Sequence, residues 1–488
     1  MNSLFVRKKT FSELKKYLDN KSSTASFCFF RGRRRVGKST MLELFAQKNP
    51  ETVFYFMGRL DEKASKTLVR FTKAWSEFCG ESNLIKYKSS ELNWDLFFEA
   101  LYLFGKSLKS NTCLVLDEIQ WIAKEQSGFL GALKEHWVKL ERIPKLKFIL
   151  CGSSNKFFNQ MTGGEEKLIR GLKTRTDIWL KPLTLNEIKE FYKPNFNDQE
   201  LLLAYMIFGG IPYYWNQIKT ELNFIQAINS VCFIPNSLFL EEFKEMLNLE
   251  FQINSIKTLQ SLLEVIGGTG KTASSIASDS KLSHSTVGDL LVKLENYKII
   301  SHKEPLFGKV KEIKRGSLIY IKDFYLNFYF RVLRKYLGRI KRNSKHELIF
   351  AQLFEGSKQG LYIPDFTGPI FELLIQTILE ENEVRTANIF EKLHLKNCDY
   401  EIGFHWDKEV QFDLILHKTT DRVTRFIECK WTKDNAQLLE LIKSFELRVS
   451  KYAEKYQMVL CLNHIPSDSI IKVAKSSNIT IVTPKDLI

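Results

Sequence analysis

Eight residues near the N-terminus, Gly32-Arg33-Arg34-Arg35-Val36-Gly37-Lys38-Ser39, set two glycines five positions apart and follow the second with a lysine and a hydroxyl. Glycines at that spacing let the backbone bend so that successive N–H groups face one anion, and Lys38 adds a point charge. Ser39 offers an oxygen to a divalent cation, and Thr40 continues the same turn. The flanks agree with a GxxxxGK[ST] phosphate loop: Ser26-Phe-Cys-Phe-Phe30 reads as a strand, and Met41-Leu-Glu-Leu-Phe45 has helical spacing. The chemistry expected is capture of a nucleoside triphosphate with Mg²⁺, Lys38 reaching the β/γ-phosphates and Ser39 the metal.

Further groups of side chains fit phosphate chemistry. Cys113-Leu-Val-Leu116 reads as a strand ending in Asp117-Glu118, and a parallel sheet presents polar groups to a ligand at its carboxyl edge. Asp117 is expected to hold Mg²⁺ through water and Glu118 to polarise the attacking water, which points to hydrolysis beyond binding. A third strand, Lys147-Phe-Ile-Leu-Cys151, runs into Gly152-Ser153-Ser154-Asn155. A short polar side chain there either reads the γ-phosphate or only completes a turn. Near the C-terminus, Gln411-Phe-Asp413-Leu-Ile-Leu416 and Arg425-Phe-Ile-Glu428-Cys429-Lys430-Trp431 read as two strands. Alternation puts Glu428 and Lys430 on one face, with Asp413 across a hairpin from them. Asp413 and Glu428, joined by Glu372 from a preceding helix, are the carboxylates for a Mg²⁺ that cleaves phosphodiesters, with Lys430 orienting or deprotonating the nucleophile.

Taken together, the GRRRVGKS loop, the LVLDE strand, the LCGSS strand end and Phe208-Gly209-Gly210-Ile211-Pro212-Tyr213 resemble the AAA+/STAND-type ATPases of archaea and bacteria. The resemblance implies ATP as the nucleotide, packing of Pro212 against the adenine, and an arginine near the phosphates, either Arg170 or Arg175. It also implies a winged helix after the helical lid, and a C-terminal domain similar to PD-(D/E)XK nucleases. Gln411 stands where that group more often has an acid. Backbone geometry at a helix end accounts for Gly209, Gly210 and Pro212 equally well.

The elements that must position these groups follow from the pattern. The fold expected is α/β: a P-loop NTPase parallel sheet over 1–183, a helical lid over 184–250, a winged helix-turn-helix with a basic linker helix over 251–345, and an α/β nuclease-like domain over 346–488. Thr184-Leu-Asn-Glu187 is a capping box opening the lid. Helices from Ile253 to Ile266 and through Leu294, with a turn at Lys281-Leu-Ser283, suggest helix-turn-helix, and strands at Ile299–Lys303 and Leu318–Ile321 complete the wing. His284, Ser285, Thr286 and Asp289 would meet DNA, and Lys309, Lys311, Lys314 and Arg315 its phosphates, or the module serves only for packing. Arg331, Arg334, Lys335, Arg339, Lys341, Arg342 and Lys345, interleaved with Phe328, Tyr329, Phe330 and Tyr336, either track nucleic acid or form an amphipathic helix with its rings in the core.

At 488 residues and 44% hydrophobic content the chain suffices for roughly three domains. No run reaches the ~18 uncharged apolar residues of a membrane span, and Met1 to Lys9 lacks a signal peptide's apolar stretch, so a cytoplasmic protein without a membrane partner is expected. The eight cysteines form no CxxC pair and read as buried thiols rather than disulfides or metal ligands. A net charge of +16 suggests a polyanionic partner, DNA among the candidates, and a homo-oligomer is a further partner to test. The functions left open are a DNA-directed ATPase coupled to a nuclease, a nucleotide-dependent signalling or scaffold switch, and a winged-helix transcription regulator.

Overall fold

The computed structural model describes residues 7–80, 92–124, 127–152, 158, 175–246, 256–267, 270–305, 317–342, 347–355, 357, 360–380, 387–396, 399–406, 410–418 and 423–488. The chain divides into two compact units, Met1–Pro182 and Leu183–Ile488. Among the described residues no helix is long and apolar enough to cross a membrane.

The first unit is built on five parallel strands, β1 (Ser26–Gly32), β2 (Val53–Met57), β3 (Thr112–Asp117), β4 (Leu146–Cys151) and β5 (Arg175–Leu180). Their order in the sheet is β2-β3-β4-β1-β5. Every residue of β3 and β4 is buried, which is why these strands read as unbroken apolar runs rather than alternating ones. Helices α1 (Lys8–Asp19), α2 (Lys38–Lys48), α3 (Ala64–Cys79), α4 (Trp94–Ser107) and α5 (Phe129–Leu140) accompany the sheet. One core is strongly aromatic: Phe27, Phe54, Phe56, Phe71, Trp75, Trp94, Phe97, Trp137 and Phe148 cluster there. Phe71 is at its centre, edge-on to Phe56 and Phe97 with centroids 4.7 Å away in each case.

The second unit opens on α6 (Leu185–Tyr192), whose capping box forms as expected: Thr184 N–H donates to Glu187 at 2.7 Å and Glu187 N–H to Thr184 Oγ1 at 3.2 Å. In α7 (Asp198–Phe208) every residue from Leu201 onward is buried. The chain then turns through Gly209 at φ 57° into α8 (Pro212–Trp215). A Cβ on Gly210 would strike the Leu183 carbonyl, and Leu183 N–H donates to Gly210 O at 2.7 Å. This close approach supplies a structural reason for the glycine pair.

Two short helices, α9 (Ala273–Ser280) and α10 (His284–Asn296), meet at a turn through Lys281 in the left-handed region, capped by Ser283. The antiparallel pair β6 (Ile300–Lys303) and β7 (Leu318–Ile321) follows. The helix expected from Ile253 is described from Ile256 to Ile266. Lys309, Lys311, Lys314, Arg315 and Lys345 lie outside the described residues.

In the basic linker the consecutive aromatic residues pack inside. Residues Tyr329–Leu333 form one π-helical turn ahead of α11 (Arg334–Lys341). That turn buries Tyr329, Phe330 and Arg331 together, with Phe328 also buried, so these rings cannot stack on bases. Arg334 pairs with Glu264, Arg339 with Glu347 at 3.1 Å and Lys335 with Asp365 at 4.0 Å.

The chain ends in a mixed sheet. Strands β8 (Tyr400–Trp406), β9 (Gln411–Lys418) and β10 (Thr424–Lys430) are antiparallel, while β11 (Tyr456–Leu462) and β12 (Ile479–Val482) run parallel to β10, in the order β12-β11-β10-β9-β8. Helix α12 (Thr367–Leu379) precedes the sheet, and α13 (Asn435–Val449) and α14 (Asp468–Ser476) make the two crossovers. Phe412, Phe426, Met458, Leu460 and Leu462 share a core with Leu438, Ile442 and Phe445 of α13.

Replacing Phe71 by Ala should cost the first unit about 3–5 kcal/mol, the expected loss for a fully buried ring. Calorimetry should show the earlier of two unfolding transitions, or one of them, moving down by several degrees.

Candidate functional sites

The parallel order sets the first site. β4 lies between β1 and β3, so Gly32, Cys151 and Asp117 finish at the same edge of the sheet. From Gly32 the chain turns through Arg35 at φ 65° and Gly37 at φ 94° into α2. Gly32 is required by space as well: a Cβ there would lie 2.7 Å from Leu180 O of β5. Arg7 straps the loop, donating to Val36 O at 2.8 Å and to Lys181 O just beyond β5. Lys38 is buried, and its ammonium donates to Gly32 O at 2.9 Å and Arg33 O at 3.1 Å. The loop's own carbonyls thus hold the cation at the place where phosphate oxygens would compete for it.

Asp117 is fully buried, its Oδ2 accepting from Tyr55 Oη at 2.9 Å and its Oδ1 from Glu118 N–H at 2.8 Å. Glu118 sits at φ 48°, an unfavourable region for a residue with a Cβ. Gln120 donates to its carboxylate. Burial raises the Glu118 carboxyl above its ordinary value, Asp117 adds to the rise, and Lys38, Gln120 and Arg34 oppose it. A carboxylate with raised basicity, held by an amide donor near a phosphate loop, is suited to accept a proton from water. The buried Asp117 beside the loop, together with the Ser39 hydroxyl at the start of α2, is a donor set that fits Mg²⁺.

The second site lies on β9 and β10. Their pairing runs to Leu414 opposite Ile427, and Asp413 stays bound to β10 by accepting the Cys429 N–H at 2.8 Å. Lys430 Nζ lies 3.3 Å from Asp413 Oδ2 and 3.0 Å from Glu428 Oε2. Arg448 of α13 takes the other Glu428 oxygen at 3.1 Å. Glu372 of α12 faces Lys303 of β6, with Nζ 3.9 Å from Oε2. Lys303 is also seated over the rings of Phe404 and Tyr320, at 4.8 and 5.3 Å. The β6–β7 hairpin is anchored beside it by a Pro305–Phe404 bridge and by Gln376, which donates to Tyr320 Oη at 2.7 Å.

Burial, then Asp413, pushes the Glu372 carboxyl up to about 8, against the opposing pull of Lys303 and Lys430. The same two causes raise Glu428. Burial acts to lower the Lys430 ammonium, but Asp413 and Glu428 overrule it and its pKa lies above the ordinary lysine value. Both Glu428 oxygens are therefore committed to protein cations. Among the described residues no three His, Cys, Asp or Glu side chains converge as metal ligands. As arranged here, Glu372, Asp413 and Glu428 form a cluster with lysine and arginine side chains set against it.

Residues 4–218 match an ATPase domain predominantly from Archaea. That segment, which holds the phosphate loop and both acids after β3, is thus similar to an ATPase domain. Residues 329–442 match a family described as archaeal and bacterial proteins of unknown function. An uncharacterized protein of Methanocaldococcus jannaschii is 26% identical over 429 residues, covering 88% of each chain. Among solved structures, the chain is similar to a Walker-type ATPase of Pyrococcus abyssi, at 18% identity and TM-score 0.49, covering 67% of this chain and 95% of that one. It is also similar to the ORC2 protein of Aeropyrum pernix, at 13% identity and TM-score 0.43, covering 70% and 95%.

In the first unit the sequence named the loop and both acids. It did not name Tyr55 or Gln120, which hold Asp117 and Glu118. Ser153, Ser154, Asn155 and Arg170 lie outside the described residues, as does the side chain of Arg175. Pro212 begins α8 in the second unit, its carbonyl accepting from Tyr192 Oη at 3.1 Å. In the C-terminal sheet, Asp413, Glu428 and Lys430 come together as alternation implies. Lys303 and Arg448 were missed because they arrive from other elements. The one trace of Arg448 is its place next to the apolar stripe Leu438, Ile442, Phe445, Val449.

The raised Glu372 has a consequence for stability. Its folded pKa lies above the ordinary unfolded carboxylate value, so the folded chain binds this proton more tightly. The associated stability is complete below the unfolded value and lost as pH rises through about 8. Glu372→Gln should therefore raise the melting temperature by a few degrees near pH ~9 and change it little near pH ~5. Equal effects at both pH values would contradict the assignment.

Proposed function

We propose that this chain is an Mg²⁺-dependent ATP hydrolase of AAA+ type whose nucleotide cycle drives its second unit as a DNA-binding switch. The observation that carries the hydrolase reading is the convergence of Lys38, Asp117 and Glu118 at one edge of the parallel sheet. In the proposed mechanism the triphosphate displaces the Gly32 and Arg33 carbonyls from Lys38, which moves onto the β/γ-phosphate oxygens. Backbone N–H groups from Gly37 onward and the start of α2 face the phosphates. Ser39 and Asp117 would hold Mg²⁺, which supplies charge neutralisation at the phosphates. Glu118, oriented by Gln120, accepts a proton from the attacking water. Arg33, Arg34 and Arg35 add positive charge around the same loop.

The DNA-binding part rests on α10. His284, Ser285, Thr286, Gly288 and Asp289 are all exposed on it, while Val287, Leu290, Leu291 and Leu294 form its core stripe. That leaves a helix face free for a groove, in a chain of net charge +16. The division of the second unit at 250 and 345, and self-assembly of the chain, belong to the same proposal.

A second reading is metal-dependent DNA cleavage by a nuclease-like C-terminal sheet. It is favoured by Asp413, Glu428 and Lys430 meeting within 3.3 Å of one ammonium, and opposed by the cations already on Glu428.

Glu118→Gln should keep triphosphate affinity within a few-fold and slow turnover by roughly 100- to 10,000-fold, whereas Lys38→Ala should weaken binding itself. Single-turnover hydrolysis beside nucleotide titration separates the two, and unchanged turnover in Glu118→Gln would remove it from the mechanism. For the second site, single-stranded, duplex and branched DNA should survive Mg²⁺ with and without ATP. Cleavage that disappears in Asp413→Ala would establish the nuclease reading instead.

A further inference from the structure

Cys429 occupies the position between Glu428 and Lys430, and its register partner on the neighbouring parallel strand is Cys461. Directly paired residues of adjacent strands lie ~4.8 Å apart and put their side chains on the same face. This separation falls inside the window of about 4.4–6.8 Å between Cα atoms that a disulfide spans. Both cysteines belong to the buried interior, at 3% and 0% exposure, and both are free thiols here. No other two described cysteines are register partners: Cys28 faces Ile149, Cys113 faces Lys147 and Cys151 faces Phe30.

We propose that Cys429 and Cys461 are a reversible modification site, an intramolecular disulfide formed by an oxidant of the hydroperoxide class. In the first step one thiol, as its thiolate, attacks a peroxide oxygen. The O–O bond breaks, sulfur is oxidised to a sulfenic acid, and the peroxide leaves as water after protonation. In the second step the neighbouring thiolate attacks the sulfenic sulfur, the S–S bond forms and a second water departs. Two thiols and one hydrogen peroxide thus give one disulfide and two waters. Both thiols are buried, so the reaction is slow and restricted to a small oxidant.

The position gives the modification a local effect. The Cys429 amide donates to Asp413, and its chain neighbours Glu428 and Lys430 are two further members of the charge cluster. Drawing Cys429 toward β11 shifts the donor that holds Asp413 on β10. The proposal concerns the thiols alone and stands whether or not the cluster cleaves DNA.

The test uses the full chain, treated with hydrogen peroxide, denatured, alkylated with N-ethylmaleimide and mapped by peptide mass. The expected result is a peptide linked through Cys429 and Cys461, lighter by two hydrogens than the reduced pair, with all but two of the eight cysteines alkylated. Dithiothreitol should restore alkylation at both. Cys461→Ala should lose the linked peptide. Should that variant fail to fold, the wild-type map decides by itself. Full alkylation of every cysteine, a linkage between other positions, or over-oxidation of Cys429 to sulfinic acid without a linked peptide would each overturn the proposal.

Discussion

The parallel pairing of β1, β3 and β4 is the constraint on which the rest of the first unit depends. Because all three strands run the same way, the loop after β1 and the acids after β3 emerge at one edge. A sheet of this kind is covered on both faces, and here the aromatic core around Phe71 provides much of that cover on one side. The polar groups that remain, Lys38, Asp117 and Glu118, are inside or nearly inside the protein. Each is held by a specific partner: loop carbonyls for Lys38, Tyr55 for Asp117, Gln120 for Glu118. Asp117 and Glu118 are therefore oriented by their own neighbours, while Lys38 is held by loop carbonyls.

The second unit solves a different problem. Asp413 on β9 raises the proton affinity of Glu372 on α12 and Glu428 on β10, and the chain answers with cations drawn from three separate elements, β6, β10 and α13. One partner of the cluster, Lys303, belongs to the hairpin that follows the helix-turn-helix. The hairpin is thus joined to α12 by charge and by the Tyr320–Gln376 hydrogen bond, and to the C-terminal sheet by the Pro305–Phe404 bridge.

What could be read from the sequence was what lies close together in the chain. The loop from Gly32 to Ser39 is contiguous, the acids end an apolar run, and Glu428 and Lys430 differ by the strand period. Groups that act across elements carried no such signal: Tyr55 to Asp117, Arg448 to Glu428 and Lys303 to Glu372 are contacts set by strand order and helix packing. The segment from Phe328 to Tyr336 left two readings open, because three consecutive aromatic residues match no regular helical stripe. A π turn changes the angular step between neighbours, and this one brings successive rings and Arg331 into the interior together. β11 and β12 offered only short apolar runs, from which neither their parallel direction nor the Cys429–Cys461 register could be inferred.

The strap from Arg7 has a mechanical meaning. One guanidinium holds both Val36 in the phosphate loop and Lys181, while Leu180 presses on Gly32 from the same side. Lys181 is next to Pro182, where the chain leaves the first unit. The loop and the end of β5 therefore share one donor: moving Val36 away from Arg7 disturbs the side chain that also holds the Lys181 carbonyl.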